Sequence, residues 1–395
     1  MEVRTKLFLK NKFKEYYARH IVPAPQEVER REFGFGTLSD KIKVRHKSFR
    51  GERDMQNFLR REAPFYVSYS VACYDFPANP MNEKGWRGSE LVFDLDVDME
   101  MLESARLEKV KKETLSLLTF LKGDFGIPDN EIRVNFSGSK GYHIHVLSQN
   151  VRDLGRDERR EIVDYMTGKI NFKDYLKFTG TREEEIVGPK KGDRGWYGRI
   201  YQGLYELISS ADQKELEKVP GIGEKKAGMI IEKRERLLKA LEEGRYDLMP
   251  EIISIERSHT SAGDPNVRRT KSIAEIKSPL VQGIIDYLAI HMEAEDTDKM
   301  VTIDTSRLIR LPDSLHGGSG LVAKTVKDLD AFDPLKDAVA FANKSMKILL
   351  REAVPAYEIC GQQIGPLDAG EVELPECAAI YLLLKDKGET AAQAN

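Results

Sequence analysis

The chain has 395 residues, 41% hydrophobic and 32% charged, with a formal net charge of −3. That is enough for two or three domains around a substantial core, and any basic surface for a nucleic-acid partner has to be local. Three scattered cysteines, Cys73, Cys360 and Cys377, exclude a Cys-x-x-Cys zinc site or a disulfide framework and suit a reducing cytoplasm.

The first residues lack the apolar core of a signal peptide, and no stretch approaches the ~20 apolar residues of a membrane span. Residues 1–25 predict a helix with a break at Pro23 and Pro25. Strand texture follows in Glu32-Phe33-Gly34-Phe35 and Ile42-Lys43-Val44-Arg45-His46, and Asp54–Arg61 fits a short helix. Pro64–Val71, aromatic and β-branched, reads as a strand. A loop from Phe76 to Gly88 leads into Leu91-Val92-Phe93-Asp94-Leu95-Asp96-Val97-Asp98. Leu102–Leu121 predicts an amphipathic helix, and Ile132–Phe136 and Tyr142–Val146 predict strands around a glycine turn. From Trp196 to about Met300 the pattern changes to charged helices, broken by a polar loop at Ser258–Arg268. A helical insertion is therefore expected at 191–298. Strand texture returns at Met300–Asp304, and helices are expected near Asp337–Glu352 and Cys377–Lys387, with 351–395 as a helical segment and tail. The whole predicts an α/β (α+β) fold, with a discontinuous mixed-sheet core at 1–190 and 299–350.

Three pieces point to chemistry. Along a strand, alternate side chains share a face, so Asp94, Asp96 and Asp98 lie opposite Phe93, Leu95 and Val97. Such a carboxylate row invites a divalent cation; otherwise it is the acidic solvent face of an edge strand. The turn Ser137-Gly138-Ser139-Lys140-Gly141-Tyr142-His143 offers a hydroxyl, a lysine, a histidine and glycine backbone, which suits an anion, although an ordinary hairpin turn reads the same way. It lacks P-loop spacing. Asp304 follows Val301 and Ile303, and Arg310 and His316 come soon after. Asp304-Thr305-Ser306 also fits a helix N-cap, while Arg310 suits phosphate. Within the insertion, Gly221-Ile222-Gly223 before Lys225 resembles a helix-hairpin-helix clamp on DNA phosphate, with a plain helical turn as the alternative.

In this order the pieces resemble the catalytic small subunit of archaeal and eukaryotic DNA primases. The flanks Glu29–Phe35, Val44–Phe49, Lys84-Gly85-Trp86 and Phe332-Asp333-Pro334 add to the likeness. It covers roughly residues 10–190 and 300–345. The resemblance implies a nucleotidyltransferase of the primase type, a DNA-directed RNA polymerase that starts short RNA or DNA primers de novo on single-stranded DNA during replication. It implies that Asp94, Asp96 and Asp304 hold two Mg²⁺ or Mn²⁺ ions, and that Ser137, Lys140, His143, Arg310, His316 and Arg45 bind the nucleoside triphosphate. It also implies a heterodimer with an iron–sulfur large subunit, in the cytoplasm. Two departures stand out. Ser139 occupies a position that is often basic in the family, and no cysteine lies between Cys73 and Cys360, so the zinc site of archaeal relatives looks lost. A repair or end-joining polymerase of the same superfamily, or a non-catalytic nucleic-acid-binding protein, are the competing readings.

Overall fold

The computed structural model describes residues 1–179, 185–219, 222–259, 272–289, 301–342 and 344–391. It is a mixed α/β fold, and its contacts divide the chain into two compact units, Met1–Val163 with His291–Asn395, and Asp164–Ile290.

The first unit opens with helix α1 (Val3–Arg19), which buries Leu9, Phe13 and Tyr17. Strands β1 (Phe33–Gly36) and β2 (Val44–Lys47) follow, then α2 (Glu52–Glu62) and β3 (Tyr66–Ser70). With the strand Leu308–Arg310 they form an antiparallel sheet in the order Leu308–Arg310, β3, β1, β2. The Phe76–Gly88 stretch, expected as a loop, connects two short paired strands, β4 (Ala72–Tyr74) before it and β5 (Trp86–Ser89) at its end. Next come β6 (Leu91–Asp96), α3 (Ser104–Thr119), β7 (Ile132–Phe136) and β8 (Gly141–Val146). The second antiparallel sheet runs Thr325–Val326, β7, β8, β6. In β6, Leu91, Val92, Phe93 and Leu95 are all buried, which locks the strand's register against both sheet faces.

Several expectations fail where tertiary context overrides the local pattern. Residues 301–303 are helical, so Asp304 follows a helix and not a strand. The helix expected near Asp337–Glu352 is replaced by a short one, Pro334–Asp337, and a strand, Ser345–Leu350. That strand pairs on both sides, with Gly370–Pro375 and Gly388–Thr390, and alternates buried Ile348 and Leu350 with exposed Leu349. Residues 351–391 thus hold strands beside the helix Glu376–Leu384, and Cys360 and Cys377 lie side by side there.

In the second unit, the helix Gly195–Ser210 packs its buried Trp196, Leu204 and Ile208 against the helices Arg234–Glu243 and Pro279–Leu288. Two hairpins accompany these helices: Lys177–Thr179 with Glu185–Val187, and Ser254–His259 with Ser272–Lys277. The polar loop expected at Ser258–Arg268 lies mostly outside the described residues, and its start belongs to the second hairpin.

Candidate active site

One cavity of about 470 Å³ in the first unit is lined by Asp94, Asp96 and Asp304, by Ser137, Lys140 and His143, and by Arg45, Arg310 and His316. All nine residues singled out above in the core therefore meet in one place. Asp98 does not: it lies exposed beyond the end of β6.

The carboxylates come from two elements. β6 pairs with β8 so that Asp94 stands opposite His143 and Asp96 opposite Gly141. His143 Nε2 is 3.3 Å from Asp94 Oδ1. Burial disfavours charge on Asp94, but His143, Arg307 and Lys41 outweigh it and hold the carboxyl below its usual range. At Asp96, burial and then the Asp94 charge push the pKa up to about 6. Apart from that His143 contact, Asp94 Oδ1 and Asp96 Oδ1 are buried without a partner. Two adjacent carboxylate oxygens in that state fit a divalent cation, the group that would relieve both their desolvation and their repulsion. Asp304 is otherwise engaged, since Ser306 donates to its Oδ1 from both N (2.9 Å) and Oγ (2.7 Å). The helix N-cap expected of Asp304-Thr305-Ser306 does not form, because a turn and the strand Leu308–Arg310 follow, although Asp304 still accepts the bonds such a cap would make. Among the described residues, no three His, Cys, Asp or Glu side chains converge as a ready-made metal cage.

The raised Asp96 pKa has a stability consequence. Between the unfolded value near 3.8 and about 6, the metal-free folded chain keeps a proton that the unfolded chain releases. This group's contribution is therefore full at low pH and lost as pH rises through about 6. Mn²⁺ should restore it, so its thermal shift, measured by calorimetry, should be larger at pH 7.5 than at pH 5. An equal shift at both pH values would remove Asp96 from the metal site.

The turn between β7 and β8 is closed from inside. Ser137 Oγ accepts from the backbone N–H groups of Ser139 (3.4 Å) and Gly141 (3.2 Å). These two N–H groups, expected in an anion nest, are thus taken up by the turn, while the Ser137 O–H, for which no acceptor is found in the turn, stays on the cavity wall. Gly138 has φ +83°, and a Cβ there would come within 2.9 Å of His316 Cβ. Ser319 Oγ also donates to Gly138 O. These contacts dock the Ser137–Gly141 turn on the loop after the strand Leu308–Arg310.

From that strand, Arg310 lies over the Tyr66 ring at 4.8 Å and keeps a buried Nη1 without a partner. Burial lowers its pKa to about 10, which leaves it cationic at neutral pH. Burial and then Arg310 hold the His316 pKa well below its ordinary value. Its Nδ1 accepts from Gly318 N at 3.2 Å, so the ring is neutral with its proton on Nε2. Arg45 is positioned by buried Glu32, Nε to Oε1 at 3.1 Å, and the same carboxylate holds Lys84 at 3.4 Å. Sequence reasoning gave no role to two further cavity cations, Lys41 and Arg307. Lys41 sits in the β1–β2 loop, where only the fold reveals its proximity to Asp94.

In the second unit, Gly221 lies outside the described residues. Gly223 caps the helix Glu224–Glu232, which contains Lys225, with an ordinary φ of −93° and open space where a Cβ would stand. The space leaves the backbone approachable but does not demand glycine.

A family model described as DNA primase small subunit matches residues 93–328. A DNA primase small subunit from Methanothrix thermoacetophila is 35% identical over 98% of this chain and 100% of its own length. Counterparts from Methanosarcina acetivorans and Halorubrum lacusprofundi are 34% and 33% identical, each over 100% of this chain and 99% and 100% of their own. The span matched by the model contains eight of the nine cavity residues named above, all but Arg45, so cavity and likeness coincide. The chain belongs to the DNA primase small subunit family.

Proposed function

We propose that this cavity performs template-dependent nucleotidyl transfer, starting primers de novo on single-stranded DNA. The observation that supports it most is the pair of buried carboxylates Asp94 and Asp96, facing only His143 and each other, in a cavity that also holds Lys41, Lys140, Arg307 and Arg310. Acid to hold cations and base to hold phosphates are both required to join nucleotides. Asp94 and Asp96 would hold Mg²⁺ or Mn²⁺, and Asp304 would join them by leaving Ser306. When bound, the metal supplies activation of the 3′-hydroxyl and neutralisation of the pyrophosphate leaving group. Lys140 and Arg310 pair with the triphosphate, Arg310 with its free Nη1. His316, neutral, donates Nε2–H without adding charge. His143 aligns Asp94 and becomes a phosphate donor once a metal takes that carboxylate. The relatives' shared name, small subunit, supports a larger partner, and we assign to it the iron–sulfur subunit that the family resemblance implies.

The test is direct. The chain, with and without a large subunit, is incubated with single-stranded template, labelled nucleotides and Mg²⁺ or Mn²⁺, and the products are sized. Products begun without a primer support the proposal. Extension of added primers only would favour a repair polymerase, and no metal-dependent turnover would favour a non-catalytic binder.

Two smaller predictions belong here. Lys140→Ala and His143→Ala should raise the KM for nucleotide roughly ten- to a hundredfold, the range for a lost charge-assisted contact, with less effect on template KM. An effect on template alone would move the turn to the DNA path. Metal analysis should find less than one zinc per chain, and one tightly held zinc would overturn the reading of a lost zinc site.

A further inference from the structure

Two elements at the cavity mouth expose side chains that a core would normally claim. Ile42 and Val44 are 40% and 42% exposed, and Phe76, Met81 and Trp86, on the β4–β5 hairpin, are 61%, 44% and 42% exposed. These are five of thirteen large exposed hydrophobics among the described residues, concentrated on two short segments, 42–44 and 76–86. Ile42 and Met81 both line the cavity that holds Asp94 and Asp96, so the segments meet there.

The hairpin is held in place. Phe76 N donates to Lys84 O and Asp75 N to Gly85 O, both at 2.9 Å, and Arg87 is paired with Asp75. Buried Lys84 ties it to Glu32, which also positions Arg45. The second segment joins the β1–β2 loop to β2, the outermost strand of its sheet: exposed Lys41 and Lys43 alternate with Ile42 and Val44, and Lys47 is exposed at the end of β2.

Ordered apolar and aromatic groups interleaved with lysines fit one ligand class. Bases stack on the former while the latter pair with phosphates. A protein partner fits less well, because interface centres are depleted in lysine. We propose that this rim carries the single-stranded template into the cavity, an assignment that rests on the nucleotidyl-transfer reading above.

Trp86 makes the test specific. The chain has two tryptophans, and Trp196 is only 1% exposed. Oligothymidylate titrated into the full chain should quench tryptophan emission, and the quench should vanish in Trp86→Phe. Phe76→Ala with Trp86→Ala should raise the template Kd about tenfold or more, as expected for lost stacking. Lys43→Glu with Lys47→Glu should weaken binding and flatten its dependence on salt. Thermal unfolding checks that each variant folds. DNA binding that leaves Trp86 emission unchanged, with wild-type Kd in the Phe76/Trp86 variant, would overturn the rim. Loss of large-subunit co-purification at unchanged template Kd would overturn it too, and assign the surface to protein. Absence of synthesis by the parent chain with its large subunit would count against nucleotidyl transfer instead; the Trp86 quench is read without activity and separates the two.

Discussion

Asp96→Asn should abolish synthesis while making the metal-free protein harder to melt. Its carboxyl is buried beside Asp94, and burial and that neighbour push its pKa up to about 6. At neutral pH the folded chain therefore pays for a charge that only a bound cation compensates. A neutral amide of the same shape removes the repulsion and should raise the Tm. It also removes a metal ligand, worth about 4 kcal/mol of transition-state stabilisation, or roughly a thousandfold in turnover. The opposite signs are diagnostic, because a merely structural aspartate would lose stability and activity together. Asp94→Asn should be as inactive without the gain in Tm, since His143 already favours its charged form. Asp304→Asn should be inactive with little change in stability, because the amide oxygen can still accept from Ser306. Single-turnover incorporation and calorimetry on the same preparations decide it; near-normal synthesis by Asp96→Asn would sink the metal assignment.

Gly141→Ala should be nearly as severe, for a steric reason. Gly141 faces Asp96 across the β6–β8 ladder. A Cβ there would overlap Leu95 O and the Asp96 carboxylate and stand 2.8 Å from Asp96 Cα. These are largely backbone atoms of β6, held at this point by its ladder with β8, and cannot step aside without breaking that pairing. Overpacking of this kind costs about 3 kcal/mol or more, and here the strain falls on the ladder that sets the spacing of Asp94 and Asp96. Urea unfolding should show the loss of stability, and synthesis should fall with it. Gly123→Ala is the control, since a Cβ there meets nothing within 4 Å. Equal stabilities for the two variants would show that the ladder yields at Gly141.

Much of the core was legible because its signals are local. Alternation over Phe93–Asp96, with Phe93 and Leu95 fully buried and the two carboxylates less so, can be read from the chain, and two strands around Ser-Gly-x-x-Gly announce a tight turn. The strand Ser345–Leu350 was misread as helix because Lys-Ser-Met-Lys-Ile-Leu-Leu suits either period, and its two distant partners, Gly370–Pro375 and Gly388–Thr390, decide between them. Residues 301–303 failed likewise, since Val-Thr-Ile has strand propensity that packing overrode.

The candidate site divides along the same line. The amino-acid order alone determined the kinds of groups available: two carboxylates on one strand, a glycine turn opposite, and a distant aspartate, arginine and histidine. It could not determine their state, because charge and hydrogen bonding depend on separations through space. Only the tertiary structure brought Lys41 and Arg307 to the carboxylates, turned Ser137 inward to close its own loop, and set Asp304 on Ser306. Only burial beside Arg310 made His316 neutral, and only burial beside Asp94 raised Asp96. Spacing along a strand is fixed by covalent geometry and can be read from the chain, whereas desolvation and Coulomb interaction are properties of the packed interior.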